Sequence, residues 1–323
     1  MLDSATEGHQ DRRRFGRPEN WEALRAVEPD DAASLAGHLD VGPVVAFAGD
    51  WESDFLWAAQ RIAEVAARGV THLFHAGDFG IGSGKLGKRY LRTVERACVE
   101  HGVQVWVTPG NHENWERLWT KKLRARAPYE AAGALWWISE HVAALPRGHL
   151  LTLRTPAGTR RTLLSVGGAP SVDFDVRTPG VSWWPEELMT SDDVDHLLGR
   201  LGRHRGAGGD IDVMVSHDAP GDPYQTPKVA HICATNPIGF SQMALSYAAV
   251  GRHRITEVFE EARPRLVVHG HYHVADRAIV TLPPPHASTS RDTEQDRCQV
   301  VSLAGNKQAA NLSFLDLDHM EMT

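Results

Sequence analysis

The sequence predicts an α/β fold, and two observations carry that reading. From Val41 onward, short runs rich in Val, Ile, Leu and Phe alternate with longer amphipathic segments. The 323 residues leave room for one large α/β domain with an appendage, or for two ordinary domains. Residues 1–40 lie outside the pattern: they are polar, carry arginines at Arg12 to Arg14 and prolines at Pro18 and Pro29, and lack a sustained period. They read as an N-terminal extension, partly helical around Trp21 to Val27, with the domain spanning 41–323.

The elements follow in order. Pro43 to Ala48 is the first strand, and a helix over Asp54 to Arg68 has Ser53 and Asp54 as possible caps and Gly69 as its stop. Thr71 to His75 is a strand, Leu86 to Glu100 a helix and Val103 to Thr108 a strand. Further strands are expected at Thr162 to Val166, Ile211 to Ser216 and Arg265 to His269, with a helix over Ser241 to Glu261 before the last of these. Gln299 to Leu303 and Asn311 to Leu317 complete the set. The polar, proline-rich stretch TLPPPHASTSRDTEQDR reads as an exposed loop between two late strands. No repeat of 20–50 residues occurs.

Composition removes several classes. Hydrophobic residues make up 42% and charged residues 23%, which excludes disorder, collagen and small disulfide scaffolds. No apolar run approaches the roughly 20 residues of a membrane helix. The first residues, MLDSATEGHQDRRRFG, hold charges where a secretory signal needs an apolar core, and the three cysteines are far apart, so a cytoplasmic protein is expected. A net charge of −7 speaks against tight binding of long nucleic acid. The 18 histidines make metal ligation worth seeking.

Five expected strands end in residues that bind hard or borderline metals: Asp50, Asp78, Asn111 with His112, His217, and His269 with His271. In open α/β sheets the ligand crevice lies at the carboxyl ends of strands, so these five loops can converge. In an extended segment residues i and i+2 face one side, which would let His269 and His271 serve one centre. Glycines before Asp50, Asp78 and Asn111 permit tight turns. Carboxylate, amide oxygen and imidazole suit Mn, Fe, Zn or Co, with no thiolate in the set. A lone Gly-Asp after a strand is usually just a turn, whereas the ordered set GD, GD, GNHE, SHDAP and GHYH is a poor candidate for coincidence.

That ordered set resembles the calcineurin-like metallophosphoesterase family, with its pattern DxH, GD, GNH(D/E), a later His and GHxH, from about Val41 to the C-terminus. The segment GGAPSVDFDVRTPGVSWWPEE is similar to a feature of bacterial and phage members. The resemblance implies a four-layer α-β-β-α sandwich of two mixed sheets with a two-metal centre at the strand C-terminal ends. It implies that Asp50 and His271 bind the first metal, that Asn111, His217 and His269 bind the second, and that Asp78 bridges them. His112 would be proton donor to the leaving oxygen or a phosphate ligand, with Glu113 orienting its ring. The implied cofactor is two divalent ions, manganese first, with iron, zinc, cobalt or nickel as alternatives.

One position departs from the family pattern: Glu52 stands where DxH has its histidine. Two divalent ions against Asp50 and Asp78 leave +2, and Glu52 would reduce that to +1. Glu52 could ligate, could point away and leave a weak site, or could be replaced by Asp54. Around the centre, Arg177 reads either as a phosphate clamp, its loop held by Asp173, or as a surface salt bridge. Trp51 is expected to border the pocket, and the loop from Pro220 to Gly239, with Lys228 and His231, to form a substrate-facing wall. The tryptophan pairs at 136–137 and 183–184 read as core or loop anchors.

The function expected is metal-dependent hydrolysis of a small or nucleotide-like phosphodiester or phosphomonoester. Rivals are a nuclease, a phosphoprotein phosphatase and a catalytically weakened binding scaffold of the same fold.

Overall fold

The computed structural model describes residues 36–82, 84–283 and 296–323. The expected helix near Trp21 and most of the expected proline-rich loop lie outside the described residues. Among the described residues the strands are β1 (Ala36–Asp40), β2 (Val44–Ala48), β3 (His72–His75), β4 (Gln104–Val107), β5 (Trp136–Trp137), β6 (Val142–Ala144) and β7 (His149–Arg154). They continue with β8 (Arg160–Val166), β9 (Val213–Ser216), β10 (Leu266–His269), β11 (Asp276–Thr281), β12 (Arg297–Ser302), β13 (Leu312–Asp316) and β14 (Glu321–Met322). The α-helices are α1 (Phe55–Ala67), α2 (Gly84–His101), α3 (Trp115–Trp119), α4 (Ser191–Gly206), α5 (Pro227–Thr235) and α6 (Gln242–Ala262).

Two seven-stranded mixed sheets result, in the orders β1-β7-β8-β9-β10-β12-β11 and β14-β13-β2-β3-β4-β6-β5. The centre of each is parallel: β2, β3 and β4 in one, β8, β9, β10 and β12 in the other. Antiparallel pairing closes three of the four edges, as β11 does on β12, and the fourth edge strand, β1, pairs in parallel with β7. All eight expected strands and three expected helices are present. The extension placed at 1–40 needs correction at its end, because Ala36–Asp40 pairs in parallel with β7 and belongs to the domain.

The layering follows from alternation along the strands. Val45 and Phe47 of β2 face the other sheet, in one core with Leu163, Val213, Val215 and Val268. Their neighbours Ala46 and Ala48 point the opposite way, onto Ile62 of α1 and Val94 of α2. On the far side, Met214, Val267 and Val300 pack against Leu197 of α4 and Val258 and Phe259 of α6. The result is the four-layer α-β-β-α sandwich, with both sets of parallel strands ending along one edge.

Local signals fix the helices. Asp54 caps α1 by accepting from the Trp57 amide at 3.1 Å. Thr190 and Asp193 form a reciprocal capping box on α4, and Ser241 caps α6 through the Ala244 amide. No helix among the described residues is long and apolar enough to cross a membrane.

Candidate metal centre

Asp50 follows β2, Asp78 follows β3 and Asn111 follows β4, while His217 follows β9 and His271 and His273 follow β10. Two sheets therefore contribute to one site. The loops are tied before any side chain is considered: the Asp50 amide donates to Gly77 O at 2.9 Å, and the Glu52 amide to Asp78 O at 3.0 Å. Asp50 Oδ1 then accepts from the His271 amide at 2.9 Å, which joins the sheets.

The backbone at the site is unusual. Ten non-glycine residues among the described ones have positive φ, and Asp50, Glu52, Asp78, His271 and His273 are five of them. Each left-handed residue costs on the order of 1–3 kcal/mol, less for Asp and His, and persists where its surroundings over-determine it. Close approach adds a demand for glycine at position 270, because a Cβ there would collide with the Asp50 carboxylate. Gly77 takes φ +93 and leaves no room for a Cβ beside the His217 ring.

Asp50, Glu52, Asp78 and His273 form the tightest group, with one ligand atom from each lying within 4.8 Å of all the others. His273 Nε2 is 3.4 Å from Asp50 Oδ1 and 3.4 Å from Glu52 Oε1. Beside it, His217 Nε2 lies 2.9 Å from Asn111 Oδ1 and 3.3 Å from Asp78 Oδ1, and the His271 ring stands 5.0 Å from the His217 ring. His217 Nδ1 donates to Ala76 O at 2.7 Å, so a neutral ring presents its Nε2 lone pair to the site.

The donor set fits divalent cations. Asp50 Oδ2 is buried without a hydrogen-bond partner, and the Asp78, Asn111 and His217 atoms that converge are acceptors unless His217 is protonated. The electrostatics express the same surplus of negative charge. Burial opposes a charged His217, yet Asp78 and Asp50 push its pKa up to about 10. Hydrogen bonding to Asp50 and Glu52 lifts His273 to about 10. Burial works against a charged Asp78, but His112 and His217 hold it well below the usual carboxylate range. Burial raises Asp50. A metal ion would supply the positive charge that these imidazoles otherwise carry as protons.

Glu52 faces the cluster, its Oε2 3.5 Å from His112 Nδ1. Asp54 is engaged elsewhere, capping α1 and pairing with Lys307 at 3.4 Å. His112 is about one-third exposed, and its Nε2 lies 2.8 Å from Arg177 Nη2. Arg177 is itself positioned by Asp173 at 2.6 Å and by Ser182 O at 3.1 Å. Glu52, His112, Asp173 and Arg177 line a cleft of about 310 Å³.

Several expectations need correction. His269 is not in the cluster or on the cleft wall: it is buried, donates from Nδ1 to Gly270 O at 3.0 Å and meets Tyr272 edge-on. His273, which the sequence reading passed over, takes the place beside Asp50. The pair at i and i+2 is thus His271 and His273, in a turn of positive φ rather than an extended strand. Glu113 does not orient His112. It is fully buried and accepts from the amides of Asp78 at 3.2 Å, Gly80 at 2.9 Å and Gly110, clamping two loops together. Burial raises its pKa to about 7. Trp51 does not border the pocket; it is wholly buried, edge-on to His75 and donating to Asn311 Oδ1 at 3.1 Å. His231 is exposed on α5 and absent from the cleft lining, where Ile232 and Cys233 stand instead.

Two further residues support the site. Asn111 Nδ2 donates to Ser171 Oγ at 3.0 Å, and Ser171 Oγ donates to Glu187 Oε2 at 2.7 Å. This chain aims the Asn111 oxygen at His217. Both residues lie in the segment 167–187 already singled out, but their pairing depends on a contact that spacing does not reveal.

A family model described as calcineurin-like phosphoesterase matches residues 43–275. The chain belongs to that family of phosphoric ester hydrolases, which use dimetal centres. No curated protein sequence matches it. Among solved structures it is similar to the protein TT1561 of Thermus thermophilus, at 12% identity over 88% of this chain and 97% of that one, TM-score 0.46. It is also similar to a dimetal phosphatase from Danio rerio, at 12% identity over 84% and 91%, TM-score 0.46.

Proposed function

We propose that the chain hydrolyses a small phosphodiester, with manganese as the working metal. Asp50, Glu52, Asp78 and His273 would hold one cation, and Asp78, Asn111, His217 and His271 the other. When bound, such cations supply Lewis-acid charge against the developing negative phosphoryl group and acidify water.

The observation that carries this reading is the joint placement of the acidic cluster and the His112–Arg177 pair in one cleft. Arg177 presents a planar fork to a phosphate. A phosphate taken up by Arg177 would free His112 Nε2 to hold a proton for the leaving oxygen, while Glu52 faces Nδ1 and steadies the charged ring. Protonation assists departure of an alkoxide, which either ester class releases, and the diester is the class proposed here. Glu52 thus takes the part expected of Glu113, and its orientation into the cluster favours a working centre over a weakened scaffold.

The test is turnover of chromogenic phosphodiester and phosphomonoester by manganese-reconstituted protein, with His112→Ala alongside. Chelation should abolish turnover of the chromogenic diester, and His112→Ala should lower hydrolysis of a dialkyl phosphodiester, whose leaving alkoxide needs the proton, by about 10²–10⁴-fold. Activity indifferent to both treatments sinks the reading.

A further inference from the structure

The cleft has two unlike sides. One carries the cation cluster, His112 and Arg177; the other is built from α5, the loop after it and the start of α6, through Ile232, Pro237, Ile238, Phe240 and Leu245. Of nine large hydrophobic residues strongly exposed among the described ones, Ile238 is the one that lines this cleft. It is 75% exposed.

Polar groups on that side have partners of their own, including Arg252 of α6, which lines the cleft next to Tyr272 and Asp218. The Asn236 amide is spent on its own loop, donating to Phe240 O at 3.0 Å and accepting from the Phe240 amide at 2.9 Å. Tyr272 donates to Asp218 Oδ1 at 2.7 Å, and Cys233 lies between Gln225 and Tyr272. A nucleobase needs partners for its edge, and these groups have bonds of their own to break first. An aliphatic or otherwise apolar group needs only contact area.

The wall is also fixed against the cationic side. Ser241 Oγ donates to Asp175 Oδ2 at 2.5 Å, and Phe174 packs on Tyr247 of α6 at 4.6 Å. Arg177 and the apolar wall therefore face each other across one gap of set width.

We infer that the ester's organic group is apolar: its phosphate lies at the cation cluster and its hydrocarbon part lies along Ile232, Ile238, Phe240 and Leu245. This rests on the phosphoesterase reading and names its substrate class.

Calorimetry of manganese-loaded protein with methyl-, butyl- and octylphosphonate, and with adenosine 5′-monophosphate, tests it. Affinity should rise by roughly fourfold per methylene along the series, and the nucleotide should bind more weakly than octylphosphonate. The octyl-to-methyl ratio should collapse at least tenfold in an Ile238→Ser/Phe240→Ser variant and stay unchanged in Leu86→Ser, an exposed substitution on α2. Thermal melting confirms that each variant is folded. A flat series in a protein that turns over the chromogenic ester overturns the apolar wall alone, as does tighter binding of the nucleotide or a ratio that survives the double substitution. A rising series untouched by chelation, without turnover of any ester, leaves an apolar ligand site and overturns the phosphoesterase reading beneath it.

Discussion

Arg177 Nη2 lies 2.8 Å from His112 Nε2. A guanidinium only donates, so the imidazole accepts there and carries its proton on Nδ1, toward Glu52. Arg177→Lys keeps the charge but loses the fork that spans Asp173, Ser182 and His112. We expect kcat/KM to fall by about 10–100-fold, the worth of one charge-assisted hydrogen bond. Steady-state kinetics check this, and a lysine variant with wild-type kcat/KM removes Arg177 from substrate binding.

Glu52 replaces a neutral ligand type with an anionic one. Glu52→Ala should weaken one of two cation affinities by about 10–100-fold or more and leave the other in place. A metal titration with two resolved steps reads this directly; an isotherm unchanged from wild type contradicts the placement of Glu52.

His273 and His269 make a matched pair. His273→Ala should reduce bound manganese toward one equivalent, whereas His269→Ala should retain two, since its ring lies outside the cluster. Elemental analysis after gel filtration distinguishes them, and the reverse result restores the assignment drawn from sequence.

Chelation should lower the melting temperature. The proposed cation ligands come from the loops of both sheets, so a metal bound only to the folded state would stabilise it by about 2.7 kcal/mol at one hundred times Kd. For a protein of this size that is a shift of roughly 4 °C. Calorimetric scans with and without chelator measure it, and superimposable scans deny that the folded state binds metal.

Acid sensitivity has an identifiable source away from the centre. His149 is buried and donates from Nε2 to Ala132 O at 2.9 Å. Burial lowers its pKa to about 4. Between about pH 6.5 and 4 the unfolded chain takes up a proton here that the folded one refuses. Stability present above pH 6.5 is therefore lost as pH falls, by about 1.4 kcal/mol per unit. His149→Gln should make the loss of urea midpoint from pH 7 to pH 4.5 shallower by one proton's worth. Parallel curves would falsify this assignment.

The central strands and their terminal ligands were legible because parallel strands buried on both faces are continuous apolar runs. Elements at the periphery were not. β5 and β14 have two residues each, and α4 carries Gly199 and Gly202, which blur a helical period. His273 was missed for a geometric reason: HGH and HYH share the same spacing, and strand periodicity selects the pair that begins on β10. The pair that faces the cluster, His271 and His273, instead sits in the left-handed turn beyond it. Glu113 was misplaced because the amides it binds belong to residues 78, 80 and 110, a convergence that exists only after β3 and β4 pair.

Asn311 accepts from the indoles of Trp51 and Trp57 and donates to Gly49 O and Ala304 O. It is separated from Trp51 by 260 residues and lies beyond the stretch that the family model matches. On a ribosome, then, the turn bearing Asp50 emerges early and waits for nearly the whole chain before its buttress arrives. Loop closure over such a span is slow, and nascent chains shorter than 311 residues would leave the indole N–H groups of Trp51 and Trp57 without this acceptor.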